Sequence, residues 1–123
     1  MANSKKSVLI CDDAVVMRMM IKSILTKAGY EVVGEAENGA VAVEMYRDLE
    51  PALVTMDMIM PELDGINAVK QIIANDPGAR IVMCTSMGQQ QLVVDAIKAG
   101  AKGFVTKPFQ PPKLLEAVEK ALA

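Results

Sequence analysis

Six polar residues stand directly behind short apolar runs, and their types suit phosphate or metal chemistry. Asp12 and Asp13 follow residues 8–11, Asp57 follows 53–56, Thr85 and Ser86 follow 81–84, and Lys107 follows 104–106. Carboxylates gathered in one pocket repel, so protonation, a lysine or a hard divalent cation must offset them. Oxygen ligands without histidine or cysteine favour Mg2+ over transition metals. Mg2+ beside a carboxylate and a lysine is also equipment for phosphoryl transfer, where catalysis is mostly positioning and charge stabilisation. A carboxylate can itself be the nucleophile and form an aspartyl phosphate. Each residue also has a plainer use. Asp13 fits a helix N-cap, Asp57 a loop, Thr85 a strand-end hydroxyl bonded to backbone, and Lys107 a solvated charge before Pro108.

The elements that carry these residues decide between the two uses. Strand-like and helix-like segments alternate five times. Residues 8–11 form an apolar run too short for a helix. A helix over about 14–28 has Val16, Met20, Ile21, Ile24 and Leu25 at helical spacing and stops at Gly29. Residues 31–36 read as a second strand. Asn38-Gly39 opens a helix with Ala42, Met45, Tyr46 and Leu49 on one face, ended by Pro51. Residues 53–56 are the third strand. Asp64 caps a helix that turns Ile66, Val69 and Ile73 inward, before the Asp76-Pro77-Gly78 turn. Residues 81–84 form the fourth strand, and 89–99 a helix closed by Gly100. Residues 104–106 form the fifth strand, and Pro112 starts a last helix with Leu114, Leu115, Val118 and Leu122 on one stripe.

Such alternation predicts an α/β fold, a five-stranded parallel sheet with helices on both faces. Right-handed crossovers leave few topologies. The 123 residues suit one compact domain. In open parallel sheets the ligand crevice lies past the carboxyl ends of the strands, where strand order reverses. All six polar residues stand at that end. If the first and third strands are neighbours, three carboxylates share one pocket. The plainer uses must then be invoked separately four times.

Composition narrows the classes further. Hydrophobic residues make up 52% of the chain, enough for a full core. Net charge is −2 with no basic cluster, which argues against nucleic acid as a partner. No apolar stretch approaches the roughly 20 residues of a membrane span, and residues 1–7 are polar, so no membrane association and a cytoplasmic protein are expected. Cys11 and Cys84 sit inside apolar runs and read as buried hydrophobes. The chain has no histidine, so it has no phosphohistidine and no histidine base of its own.

The acidic pair after VLIC, the aspartate closing LVTMD, Met60-Pro61, the threonine of IVMCTS and the lysine of GFVTKPF together resemble bacterial response-regulator receiver domains. The likeness covers about residues 5–121. Chemotaxis receivers are themselves a standard instance of the switch-point rule. The resemblance implies a flavodoxin-like (βα)5 fold with strand order 2-1-3-4-5. It implies Asp57 as phosphoryl acceptor, and Mg2+ bound by Asp12, Asp13, Asp57 and the backbone carbonyl of Ile59. Thr85 and Lys107 are implied to bond the phosphoryl oxygens, with Phe104 as the switch aromatic and a cis bond at Lys107-Pro108. The stretches KAGYEV, MGQQ, KAGAKGF and KPFQP are similar to single-domain chemotaxis regulators.

By that resemblance the protein is a monomeric switch that assists only its own phosphorylation and dephosphorylation. Its expected partners are a histidine kinase, a flagellar motor switch protein or other target, and a dedicated phosphatase. The output surface is expected on the last two units, with Leu92, Val94 and Phe104 outward and Val93 and Ile97 in the core. Two positions depart from the family pattern. Ile59 stands where a polar residue is common, and Met87 lies two after Thr85. They either shield an acyl phosphate from water or are tolerated variation. Ser86 replaces a common alanine and stays small. A phosphorelay intermediate or a module of a larger regulator would share every site residue. A flavodoxin-like carrier fits poorly, with an acidic first loop and no Trp. An aspartate-nucleophile phosphatase lacks its second aspartate at Ile59.

Overall fold

The computed structural model describes residues 6–86 and 88–123. Five strands alternate with five helices: β1 Ser7–Cys11, α1 Val15–Lys27, β2 Glu31–Ala36, α2 Gly39–Leu49, β3 Leu53–Asp57, α3 Gly65–Asn75, β4 Ile81–Ser86, α4 Gln90–Ala99, β5 Gly103–Lys107 and α5 Pro111–Leu122. The strands form one parallel sheet in the order β2-β1-β3-β4-β5. The expected α/β class and strand order are both met.

β1, β3 and β4 lie inside the sheet and are covered on both faces, which explains their mostly apolar runs. Side chains alternate between faces with period two. Val8, Ile10, Leu53, Val82, Cys84 and Val105 share a core with α1 and α5. Leu9, Cys11, Val54, Met56, Ile81 and Met83 share the other core with α2, α3 and α4. The two cysteines are free, buried and in separate cores.

Local signals set the helix ends. Asn38 accepts the Val41 N–H at 2.8 Å and Asp64 accepts the Asn67 N–H at 2.9 Å, both as N-caps. Gly29 and Gly100 take positive φ behind α1 and α4, where a side chain would be strained. Strands β4 and β5 run further than the sequence predicts and include Thr85, Ser86 and Lys107. Their backbones keep pairing (Thr85 with Thr106, Ser86 with Lys107), so the ladder outlasts the apolar run. The last helix starts at Pro111, one residue early.

Two helix faces, on α1 and α4, need correction. On α1, Val16 and Met20 are exposed, while Met17, Ile21, Ile24 and Leu25 pack inward. Ile21, Ile24 and Leu25 are inward as expected, and Met17, one residue on from Val16, takes the place of Val16 and Met20 at the edge of the stripe. On α3, Val69 is buried and Ile66 and Ile73 pack half-buried against the same core as expected, with Ala68 and Ile72 completing the buried centre. On α4 the expected positions of Leu92 and Ile97 are reversed. Ala96 is its buried point, and Leu92 and Val93 sit one turn away on the same face. Ile97 is a further residue round the helix and is 44% exposed.

Thr55 lies on β3 with no exposure, and its hydroxyl has no hydrogen-bond partner. A buried unpaired polar group costs about 1–3 kcal/mol. Thr55→Val keeps the shape and removes that cost. It is expected to raise the urea midpoint by the equivalent of about 1 kcal/mol, with the slope of the transition unchanged.

Candidate functional site

β1 and β3 are hydrogen-bonded neighbours at the point where strand order reverses, with Cys11 opposite Met56. The next residues along are Asp12 and Asp57. Period two puts Asp12 on the face of Val8 and Ile10, Asp57 on the face of Leu53, and Lys107 on the face of Val105. Three polar residues from three strands therefore project to the α1–α5 side. Asp12, Asp13 and Asp57 each bring a carboxylate oxygen within 4.8 Å of the others.

Two like unit charges that close repel by on the order of 3–4 kcal/mol at an effective dielectric near 20. Lys107 is placed against that repulsion. Its Nζ donates to Asp12 Oδ2 at 2.9 Å and to Asp57 Oδ1 at 3.1 Å. It reaches them from β5 across β4, the strand between β5 and β3. Burial raises the Asp57 carboxyl above its usual range, Asp12 adds to the rise, and Lys107 offsets part of it. Burial alone would lower the Lys107 ammonium, but its bond to Asp12 and the charge of Asp57 outweigh that and hold it above its usual range. Burial pushes the neighbouring Cys84 thiol up to about 12, so it is no nucleophile.

The loops are fastened by backbone contacts. Asp12 Oδ1 accepts the Ala14 N–H at 2.9 Å, and Arg18 Nη1 donates to the Asp12 carbonyl at 2.6 Å. Arg18 also pairs with Glu35 of β2 at 3.2 Å. The N-cap of α1 is Ala14, without a side-chain cap bond. Asp13 is thus not the helix cap, and its carboxylate belongs to the acidic cluster. Gly65 N–H donates to the Met58 carbonyl at 2.9 Å. A Cβ on Gly65 would fall 2.0 Å from the Asp57 carbonyl oxygen, so only glycine lets α3 start this close to the site.

Thr85 has the opposite parity to Asp57 and Lys107 and faces the α4 side. It is buried, and its hydroxyl donates to Gln89 Oε1 at 2.7 Å. The backbone bond expected of a plain strand-end threonine is only a 3.4 Å contact with the Ser86 carbonyl. Phe104 is 50% exposed, and a pocket of about 220 Å3 separates it from Thr85. The Lys107-Pro108 bond is cis. Ile59 is exposed in the loop behind Asp57; Met87 lies outside the described residues. Arg18 and Gln89 were not legible as site residues. Arg18 reads as a solvated helix charge, and Gln89 as a helix start.

The carboxylates and Lys107 sum to −3 + 1 = −2 when all are ionised. An all-oxygen donor set with that residual charge fits a hard divalent cation such as Mg2+.

Residues 8–119 match the response regulator receiver domain. The chain belongs to the response-regulator receiver family. It is 60% identical over 115 residues to the chemotaxis protein CheY of Thermotoga maritima, covering 94% of this chain and 96% of that one. With the CheY of Bacillus subtilis it shares 62% over 115 residues, with the same coverage. Among solved structures, the CheX–CheY–BeF3–Mg2+ complex of Borrelia burgdorferi contains a chain superposing with a TM-score of 0.91 at 34% identity. The match covers 95% of this chain and 89% of that one. The receiver is thus a phospho-accepting response regulator of the chemotaxis type. Receivers of that type take their phosphoryl group from a kinase and pass the signal to a target protein. No helix among the described residues is long and apolar enough to cross a membrane.

The raised Asp57 carboxyl has a measurable consequence. A folded-state acid with a raised pKa binds its proton more tightly than the unfolded chain does. Its contribution to stability is therefore present in acid and lost as pH rises through the window above 3.8. Asp57→Asn is expected to raise the melting temperature by a few degrees at pH 7. The gain should vanish near pH 3. Thermal unfolding of both proteins across that range checks it.

Proposed function

We propose that Asp57 is the phosphoryl acceptor, and that its modification switches the surface formed by α4, β5 and α5. The observation that carries this is Lys107 bonded to both Asp12 and Asp57 within the acidic cluster. An Asp57 oxygen forms a bond to phosphorus as the donor's bond to phosphorus breaks. The bonding pair leaves with the imidazole of a histidine kinase, or with the carboxylate of a small acyl phosphate. Asp12, Asp13, Asp57 and the Ile59 carbonyl would hold Mg2+, which would supply charge neutralisation when bound. Lys107 is already within reach and pairs with a phosphoryl oxygen. Thr85 donates to another. Such charge-assisted bonds exist only in the phosphorylated form and therefore favour one of two states. The protein acts on no substrate but its own Asp57.

Output follows from what the last two units expose. Val94, Ile97 and Phe104 are each at least 44% exposed. A groove of about 530 Å3 between β5 and α5 is lined by Phe104, Phe109, Lys102, Lys113 and Lys120. Glu116 also lines the groove and pairs with Lys120 at 3.1 Å, which leaves Lys102 and Lys113 beside the apolar contacts, a surface that suits an acidic segment of a flagellar motor switch protein as the target. A dedicated phosphatase completes the cycle.

Incubation with acetyl phosphate and Mg2+ should add one phosphoryl group to the intact mass. Asp57→Asn or EDTA should each abolish it. An adduct that survives Asp57→Asn would place the acceptor elsewhere. Ile59 offers no hydrogen bond to an attacking water, so Ile59→Asn is expected to shorten the life of the adduct several-fold. An unchanged decay would leave Ile59 without a shielding role.

A further inference from the structure

Gln89 stands immediately before α4, yet its side chain does not cap that helix. It turns back along the chain. One atom, Oε1, accepts both the Thr85 hydroxyl and the Ser86 backbone N–H, each at 2.7 Å. The end of β4 is therefore tied at two consecutive residues to the start of α4. A hydroxyl has a single proton to donate. While Thr85 gives it to Gln89, a phosphoryl oxygen on Asp57 cannot receive it. Thr85 is buried, and the other acceptor within its reach, the Ser86 carbonyl, is a long 3.4 Å contact, so Gln89 is the main resting partner of its proton.

The surroundings make the bond releasable. Gln89 is half-buried, and its side chain borders the pocket that Thr85, Val93, Phe104 and Thr106 also line. The freed amide has space to move into. Ser86 is exposed, so water can take over its N–H. The helix keeps its first bond, because the Val93 N–H is accepted by the backbone carbonyl of Gln89 at 3.1 Å.

We infer that Gln89 is a latch on Thr85, a positioning residue that holds the switch hydroxyl in its resting direction and sets how readily the active state is reached. The inference rests on the reading of Asp57 as acceptor and Thr85 as donor to the phosphoryl group. Binding of a phosphoryl mimic is weakened by the fraction of molecules still latched. Loosening the latch tightens that binding without touching the acceptor.

The test is a double-mutant cycle, read by calorimetric titration of beryllofluoride in the presence of Mg2+. The four proteins are the unsubstituted chain, Gln89→Met, Thr85→Ala and the pair. Gln89→Met removes the acceptor at similar volume. It is expected to lower the beryllofluoride Kd about fivefold, the weight of one neutral hydrogen bond. In the Thr85→Ala background it should change nothing. In the resting protein, Gln89→Met should speed hydrogen exchange at the Ser86 amide. Gln89→Ala should move both readouts in the same direction. An equal change in both backgrounds, or no change in either, overturns the latch while leaving the acceptor intact. Failure of the unsubstituted chain to bind beryllofluoride overturns the acceptor reading, and the latch with it.

Discussion

Three carboxylates repel one another at the carboxyl ends of β1 and β3, and the ammonium of Lys107 is what the resting fold sets against them. Much of the surrounding structure serves that balance. Arg18 and Ala14 hold the Asp12 loop through backbone atoms. Gly65 lets α3 begin against the Asp57 carbonyl. The balance is incomplete, since burial and Asp12 leave the Asp57 carboxyl raised. A site left two negative charges short of neutrality is open to a divalent cation. In the proposed reaction, a bound cation would make the otherwise crowded Asp57 carboxylate a usable nucleophile.

The sheet's period of two separates the chemistry from its readout. Asp12, Asp57 and Lys107 project to the α1–α5 side, and Thr85 and Phe104 to the α4 side. Thr85 sits one register step from Cys84, the direct partner of Asp57 on β4. A hydroxyl so placed rests on Gln89, and in the proposed switch it turns to a phosphoryl oxygen on Asp57. Two alternative acceptors for one proton make a two-state element. In that proposal, the pocket between Thr85 and Phe104 would supply the volume for the second state.

Several features were legible because they depend on neighbours along the chain. The caps Asn38 and Asp64, the stops Gly29 and Gly100, and the buried strands follow from turn chemistry and runs of apolar residues. The α1 and α4 faces were less legible. Val16, Met20 and Ile97 have the same apolar character as their buried neighbours, and only the position of the sheet tells which stripe is covered. The ends of β4 and β5 were missed for a related reason. Their last residues are polar, and the ladder that holds them is formed with another strand.

By itself, the sequence determined the α/β alternation, the acidic and basic groups at strand ends and the receiver likeness. Each of these is local, or a pattern of spacings. Tertiary structure alone decided that Lys107 crosses β4 to reach two aspartates 95 and 50 residues away. It also decided that Asp13 joins the cluster rather than capping α1, and that Thr85 rests on Gln89. Those outcomes depend on strand order, register and which helix face meets the sheet. Such quantities arise from contacts between distant segments, and a hydrogen bond chooses its partner only once those segments have been brought together.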